Sequence, residues 1–181
     1  CARLRPFIRC YWTLQADVTG EAVAQRVFPD GSMELIFHLG EPLARRQESG
    51  AWERQAHSLL AGQIWAPVEL SAAGGANVIG VRFQPAGAWP FFRFPLIVVG
   101  GRIENLEDLW GRRARLWRDH LGEARDRVAA LENLLLAHAP SESPEFPALS
   151  ERQFRRRFRE RVGIAPKLLA RIQRFQQALR R

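Results

Sequence analysis

Lysine is almost missing from this sequence of 181 residues: Lys167 is the one lysine among 27 basic residues, so nearly every cation is an arginine. A planar guanidinium can bond a guanine edge or a phosphate in bidentate fashion, which an ammonium cannot, so the bias bears on any anionic partner. An arginine-biased coding preference accounts for the choice of Arg over Lys, though not for where the arginines cluster. Cysteine is equally scarce. Cys1 and Cys10 are the only two, too few for a disulfide framework and without the paired spacing of a zinc site. No apolar run approaches the roughly 18 residues needed to cross a bilayer, and the first residues show no secretory signal pattern. A cytoplasmic protein with no membrane partner is therefore expected. Position 1 is Cys1 and not Met, so the sequence is expected to begin inside a longer gene product or after processing.

Catalytic signatures are missing too. His38, His57, His120 and His138 are scattered without HxH or HExxH spacing, so neither a metal nor another cofactor is expected. There is no GxSxG elbow, no P-loop and no GxGxxG after a strand; Gly74, Gly75 and Gly80 lack that spacing. No catalytic residue is assigned, and the chain is not expected to be an enzyme.

What is present is unevenly placed. The formal net charge is +8, and 11 of the 27 basic residues but only 4 of the 19 acidic ones fall in residues 141–181. That leaves 16 basic against 15 acidic residues in the rest. Such asymmetry is expected when one segment meets phosphates and the remainder does not. The length accommodates one domain or a domain with a small module.

Residues 5–15, 23–28, 33–39, 59–66, 68–73 and 77–84 read as short strands rich in β-branched and aromatic residues. Pro29, Asp30 and Gly31 form a turn signal, so 23–39 looks like a hairpin; residues 41–56 are polar and look like a loop. Several short strands with no helix between them indicate an antiparallel barrel or sandwich, with a barrel the arrangement expected here and Leu35 and Phe37 sharing its inward face, Ile36 opposite. A ligand pocket inside it would draw its aromatics from Trp12, Phe37, Trp65, Phe83 and Trp89. Trp89, Phe91, Phe92 and Phe94 fit either an ordinary core or the wall of that pocket.

From residue 104 to 138 the apolar period becomes helical, with breaks near Gly111 and Gly122. Trp110, Trp117 and Leu135 lie on a stripe that could pair two protomers or pack on the chain's own barrel. Residues 139–148 read as a linker, because Pro140, Pro144 and Pro147 exclude a regular helix. The whole is an α+β arrangement: barrel over 1–102, helices over 103–138, linker over 139–148 and a basic module over 149–181.

That last module carries the most specific pattern. Ser150 and Gln153 form a capping box. Phe154, Phe158 and Val162 recur every four residues on one side of a helix, and Arg152, Arg155, Arg156 and Arg159 occupy the others. Gly163 ends the helix, and Pro166 opens a second whose packing side carries Leu168, Leu169, Ile172, Phe175, Ala178 and Leu179.

The order Ser150, Arg152, Phe154, Arg156, Phe158, Gly163, Pro166, Arg174, Ala178, Leu179 resembles the first helix-turn-helix of the AraC/XylS family of transcription regulators. VFPDGSMELIFHLG at 27–40, with GVRFQPAGAWPFFRFP at 80–95, resembles the cupin-like N-terminal sensing domain of one branch of that family. The resemblance implies a ligand-sensing barrel controlling a DNA-binding module, with double-stranded operator DNA, a small-molecule effector and a homodimer as partners. It places Arg152, Arg155 and Arg156 at base edges, with Arg159 and Arg161 suited to phosphates. The pattern departs from the family in two places: no apolar-periodic helix fills the stretch before Ser150, and a second helix-turn-helix does not follow within the sequence. A cupin-type small-molecule binder or enzyme, or a truncated regulator acting through protein contacts, are the alternatives.

Overall fold

A strand forms within each segment where alternation predicted one, although residues 5–7 and 62–66 are not strand, and strands form also where exposure hid the pattern. The structure, a computed structural model, describes residues 1–17, 24–72, 75–139 and 150–179. Its strands are β1 (Ile8–Ala16), β2 (Ala24–Val27), β3 (Glu34–His38), β4 (Ala44–Arg46), β5 (Trp52–Arg54), β6 (Ser58–Ala61), β7 (Val68–Ser71), β8 (Ala76–Phe83) and β9 (Ile103–Asn105). They make two antiparallel sheets, one in the order β1-β8-β3-β6-β9 and one in the order β2-β7-β4-β5. Among the described residues no ladder joins the two, so the strands form a pair of antiparallel sheets and not a closed barrel.

Two local expectations are corrected. β2 does not pair with β3 in a hairpin; Ala24 lies opposite Ser71 and Val27 opposite Val68 on β7, whereas β3 is flanked by β6 and β8. The turn at Pro29, Asp30 and Gly31 therefore carries the chain from one sheet to the other. The expected loop at 41–56 contains the hairpin of β4 and β5, with Ala44 opposite Arg54 and Arg46 opposite Trp52. β5 is exposed throughout, so no buried alternation marks it.

The larger sheet is a middle layer. One face, with Leu35, Phe37, Leu60, Ile79, Val81 and Phe83, carries the main core. Three helices contribute to that core: α2 (Leu106–Trp110), α3 (Arg112–Glu123) and α4 (Arg127–Ala137). The short α1 (Trp89–Phe92) precedes them. Phe37 meets Trp117 at 6.4 Å between ring centroids, and Phe83 meets Phe91 at 5.7 Å. Burial of such side chains is worth about 1.5 to 3 kcal/mol each, the dominant favourable contribution here. The break at Gly111 is present, but Gly122 lies inside α3, which runs on to Glu123. Trp117 and Leu135 are buried in this intramolecular core. Residues 103–138 share that core with the strands, and β9 extends the same sheet.

The expected linker lies outside the described residues apart from Ala139. Beyond it, α5 (Glu151–Val162) and α6 (Pro166–Leu179) form a helical pair. The Ser150 and Gln153 capping box is formed in both directions, and Gly163 closes α5 with a left-handed φ. Val162, Ile164, Leu169 and Ile172 are buried together with Ala86 of the β unit, and Phe158 and Leu168 pack on them. Phe154, Phe175 and Leu179 stay exposed, so the apolar stripe is buried only at the end nearest the turn. No helix among the described residues is long and apolar enough to cross a membrane.

Candidate functional site

Between the two sheets lies a cavity of about 440 Å³. Its position follows from the pleat: residues i and i+2 of a strand share a face, so Glu34, Ile36 and His38 of β3 line the cavity while Leu35 and Phe37 point to the helices. The pairing of Leu35 with Phe37 against Ile36 is as expected, but the face between the sheets is the Ile36 face. A register shift between Ile8 and Cys10 of β1 lets Arg9 line the cavity along with Trp12 and Leu14. Ile36, Leu43, Val68, Leu70, Val78 and Ile103 supply apolar walls. Trp12 lies against Gly80 so closely that a Cβ there would fall 2.5 Å from its ring.

Of the five aromatics expected at a pocket, the structure brings only Trp12 to this cavity. Phe37 and Phe83 are fully buried on the helical side, because their parity on β3 and β8 is opposite to that of Ile36 and Val78. Trp89 packs on the main core from α1. Trp65 is exposed, lies over Gly101 and borders an outer concavity with Arg26, Arg45 and Arg46.

Polar groups gather at both ends of β3. At the first, Arg82 forms ion pairs with Glu34 at 2.6 Å and Asp30 at 3.2 Å, and Arg9 approaches Asp30 at 3.8 Å. Burial pushes the Glu34 carboxyl above the usual carboxylate range, outweighing the Arg82 guanidinium beside it. At the second, His38 is 1% exposed. Its Nδ1 lies 3.0 Å from Ala56 O, and its Nε2 has no partner. Burial holds its pKa below the ordinary imidazole value. Among the described residues no group of three His, Cys, Asp or Glu converges on a point that could hold a metal.

The helical pair touches this cavity. Gln176 of α6 lines it and donates to Pro29 O at 2.6 Å, while Phe175 lies 6.2 Å from Phe28, another lining residue. Leu169 sits over Gly31. Gln63, buried and unremarkable in the sequence, donates from Nε2 to Val162 O at the end of α5. Sequence reasoning missed both glutamines, since neither belongs to a motif.

On α5, Arg152, Arg155, Arg156 and Arg159 are exposed. Arg155 pairs with Glu151 and Arg156 with Glu160 at 3.7 Å. Arg161 is set apart, with its guanidinium 4.7 Å over the Trp89 ring, a cation–π contact that ties α5 to the β unit. The expected base-edge group is thus together on one exposed helix, and Arg161 faces inward.

No curated protein matches the chain. A family model described as a domain of unknown function, DUF6597, matches residues 1–101, which hold eight of the nine strands among the described residues, the cavity lining except Ile103 and Gln176, and the turn on which α6 rests. With more than half of its length matched, the chain belongs to the DUF6597 family.

Proposed function

We propose that the chain is a ligand-responsive, DNA-binding transcription regulator of the AraC/XylS kind. In this reading the two sheets are a cupin-like sensing unit, the cavity takes a small effector, and α5 reads operator DNA in a cytoplasmic homodimer. The observation that carries it is the joint between the two parts: Gln176 and Phe175 of the arginine-bearing module pack on the rim of the cavity. A ligand that displaced Phe28 or the Pro29 to Gly31 turn would disturb α6, and through it the setting of α5. The exposed face of α5 supports the DNA reading, since Arg152 and Arg159 are exposed and Arg155 and Arg156 can leave weak surface ion pairs for phosphates or guanine at little cost. A small-molecule binder without a DNA partner is the second reading, favoured by the cavity alone.

Selection of duplexes from a randomised pool, followed by binding to selected and random duplexes across salt concentration, tests the proposal. Arg152→Ala and Arg156→Ala should lose about 1 to 3 kcal/mol on the selected duplex and little on random ones, whereas Arg159→Ala should weaken both alike and lower the salt slope by about one. If none of the three variants changes binding, α5 is not the DNA-reading element.

A further inference from the structure

The cavity's charges are already spent on one another. Arg82 holds Glu34 and Asp30, and Arg9 approaches Asp30, so two guanidiniums meet two carboxylates. A ligand ion entering here would shed its water and find no counter-charge free to receive it.

The other end offers a different chemistry. A carbonyl oxygen can only accept, so the 3.0 Å contact with Ala56 O assigns the proton of His38 to Nδ1 and leaves Nε2 as an acceptor. That acceptor is buried, lacks a partner and belongs to a side chain that lines the cavity. A buried acceptor without a donor is costly and uncommon. His38 stands four residues from Glu34, roughly 13 Å along the strand at about 3.3 Å per residue. The walls between the ends, among them Ile36, Leu70 and Val78, are apolar.

We propose that the cavity takes an elongated, uncharged, largely apolar molecule bearing a hydroxyl group, and that this hydroxyl donates to His38 Nε2. The proposal rests on the sensing role given to the cavity above and specifies its ligand class. Apolar burial along the walls supplies the affinity, and the partnerless imidazole acceptor at the end of β3 fixes the orientation. An alkyl ether of the same length keeps the apolar contact but offers no donor; a carboxylate or an ammonium brings a charge that the closed Arg82 network cannot match.

The test is isothermal titration of the whole chain with four probes, 1-octanol, 1-methoxyoctane, octanoate and octylammonium, each below its aggregation concentration. Octanol should bind roughly tenfold more tightly than the ether, and either ion should bind more weakly still. His38→Phe should erase the preference for octanol over the ether while both continue to bind, and His38→Gln, which keeps an acceptor, should retain part of it; circular dichroism checks that both variants fold. If the ether matches octanol on the wild-type chain, His38 receives no donor from the ligand and the proposal fails. If octanoate or octylammonium binds most tightly, the charge argument fails while the cavity remains a ligand site. If no probe binds, the cavity takes no such ligand, and the sensing role fails along with the proposal.

Discussion

His38 is buried without a counter-charge, and that makes the fold sensitive to acid. Its pKa lies below the ordinary 6.5, chiefly because burial disfavours the imidazolium, with His57 nearby acting the same way and the carbonyls of Ala56 and His57 opposing. The unfolded chain therefore takes up a proton first as the pH falls. The stability His38 contributes is present above 6.5 and is lost as pH falls through the lowered folded value. Glu34 has the opposite sign: its folded pKa is raised by burial, so the folded state takes up that proton first, and acidification relieves a buried charge. Denaturation midpoints measured between about pH 7 and pH 5 should fall for the wild type. The fall should flatten in His38→Phe and steepen in Glu34→Gln. A slope unchanged by His38→Phe would assign the acid sensitivity to another group.

At the scale of elements, the contact between the 29–31 turn and α6 makes one glycine decisive. Gly31 has a φ of 75°, and a Cβ added there would fall 2.6 Å from Leu169 Cδ1. Gly31→Ala should cost about 1 to 2 kcal/mol through the left-handed backbone alone, and the collision should push α6 off the turn. Trypsin cleavage at Arg171 and Arg174 should then accelerate, and Leu169→Ala in the same background should slow it again by making room. Cleavage unaffected by Leu169→Ala would mean that backbone strain, not the helix contact, governs the change. Both ends of α5 and the start of α6 were legible in the sequence because capping is local: Ser150, Gln153, Gly163 and Pro166 act within a few residues of themselves. The partner of β2 was not legible, because Ala24 meets Ser71 only after the chain has changed sheets, and proximity in sequence favoured a hairpin with β3. The cavity face was half legible. Alternation separates Ile36 from Leu35 and Phe37, but ELIFH is apolar on both sides of a middle layer, so nothing in the stretch says which side faces helices and which faces space.

Across the whole molecule the two cores differ greatly in extent. The main cluster reaches from Leu4 to Leu135 and includes Phe37, Phe83, Trp117 and Leu131, whereas the helical pair shares a small cluster of Val162, Ile164, Leu169 and Ile172 with Ala86. The joint between them also has Leu169 over Gly31 and Gly163 close to Gly100, and its remaining contacts are polar or partly exposed: Gln63 on Val162 O, Gln176 on Pro29 O, Arg161 over Trp89 and Phe175 beside Phe28. Each polar contact contributes only about 0.5 to 1.5 kcal/mol net, so the pair should open without unfolding the sheets. Native-state hydrogen exchange should then find α5 and α6 opening at a free energy well below that of β8, whose amides lie between two strands of the middle sheet. A ligand seated against Phe28 and the turn changes that opening free energy by its differential affinity for the closed form, and by reciprocity opening α6 must change ligand affinity by the same factor. Octanol should accordingly slow or hasten exchange in α6 around Gln176 while leaving β8 unchanged below the global unfolding limit, and Phe175→Ala should reduce that response. Equal protection of α6 and β8 would show that the pair and the sheets unfold as one unit, and the joint could not then serve as a switch.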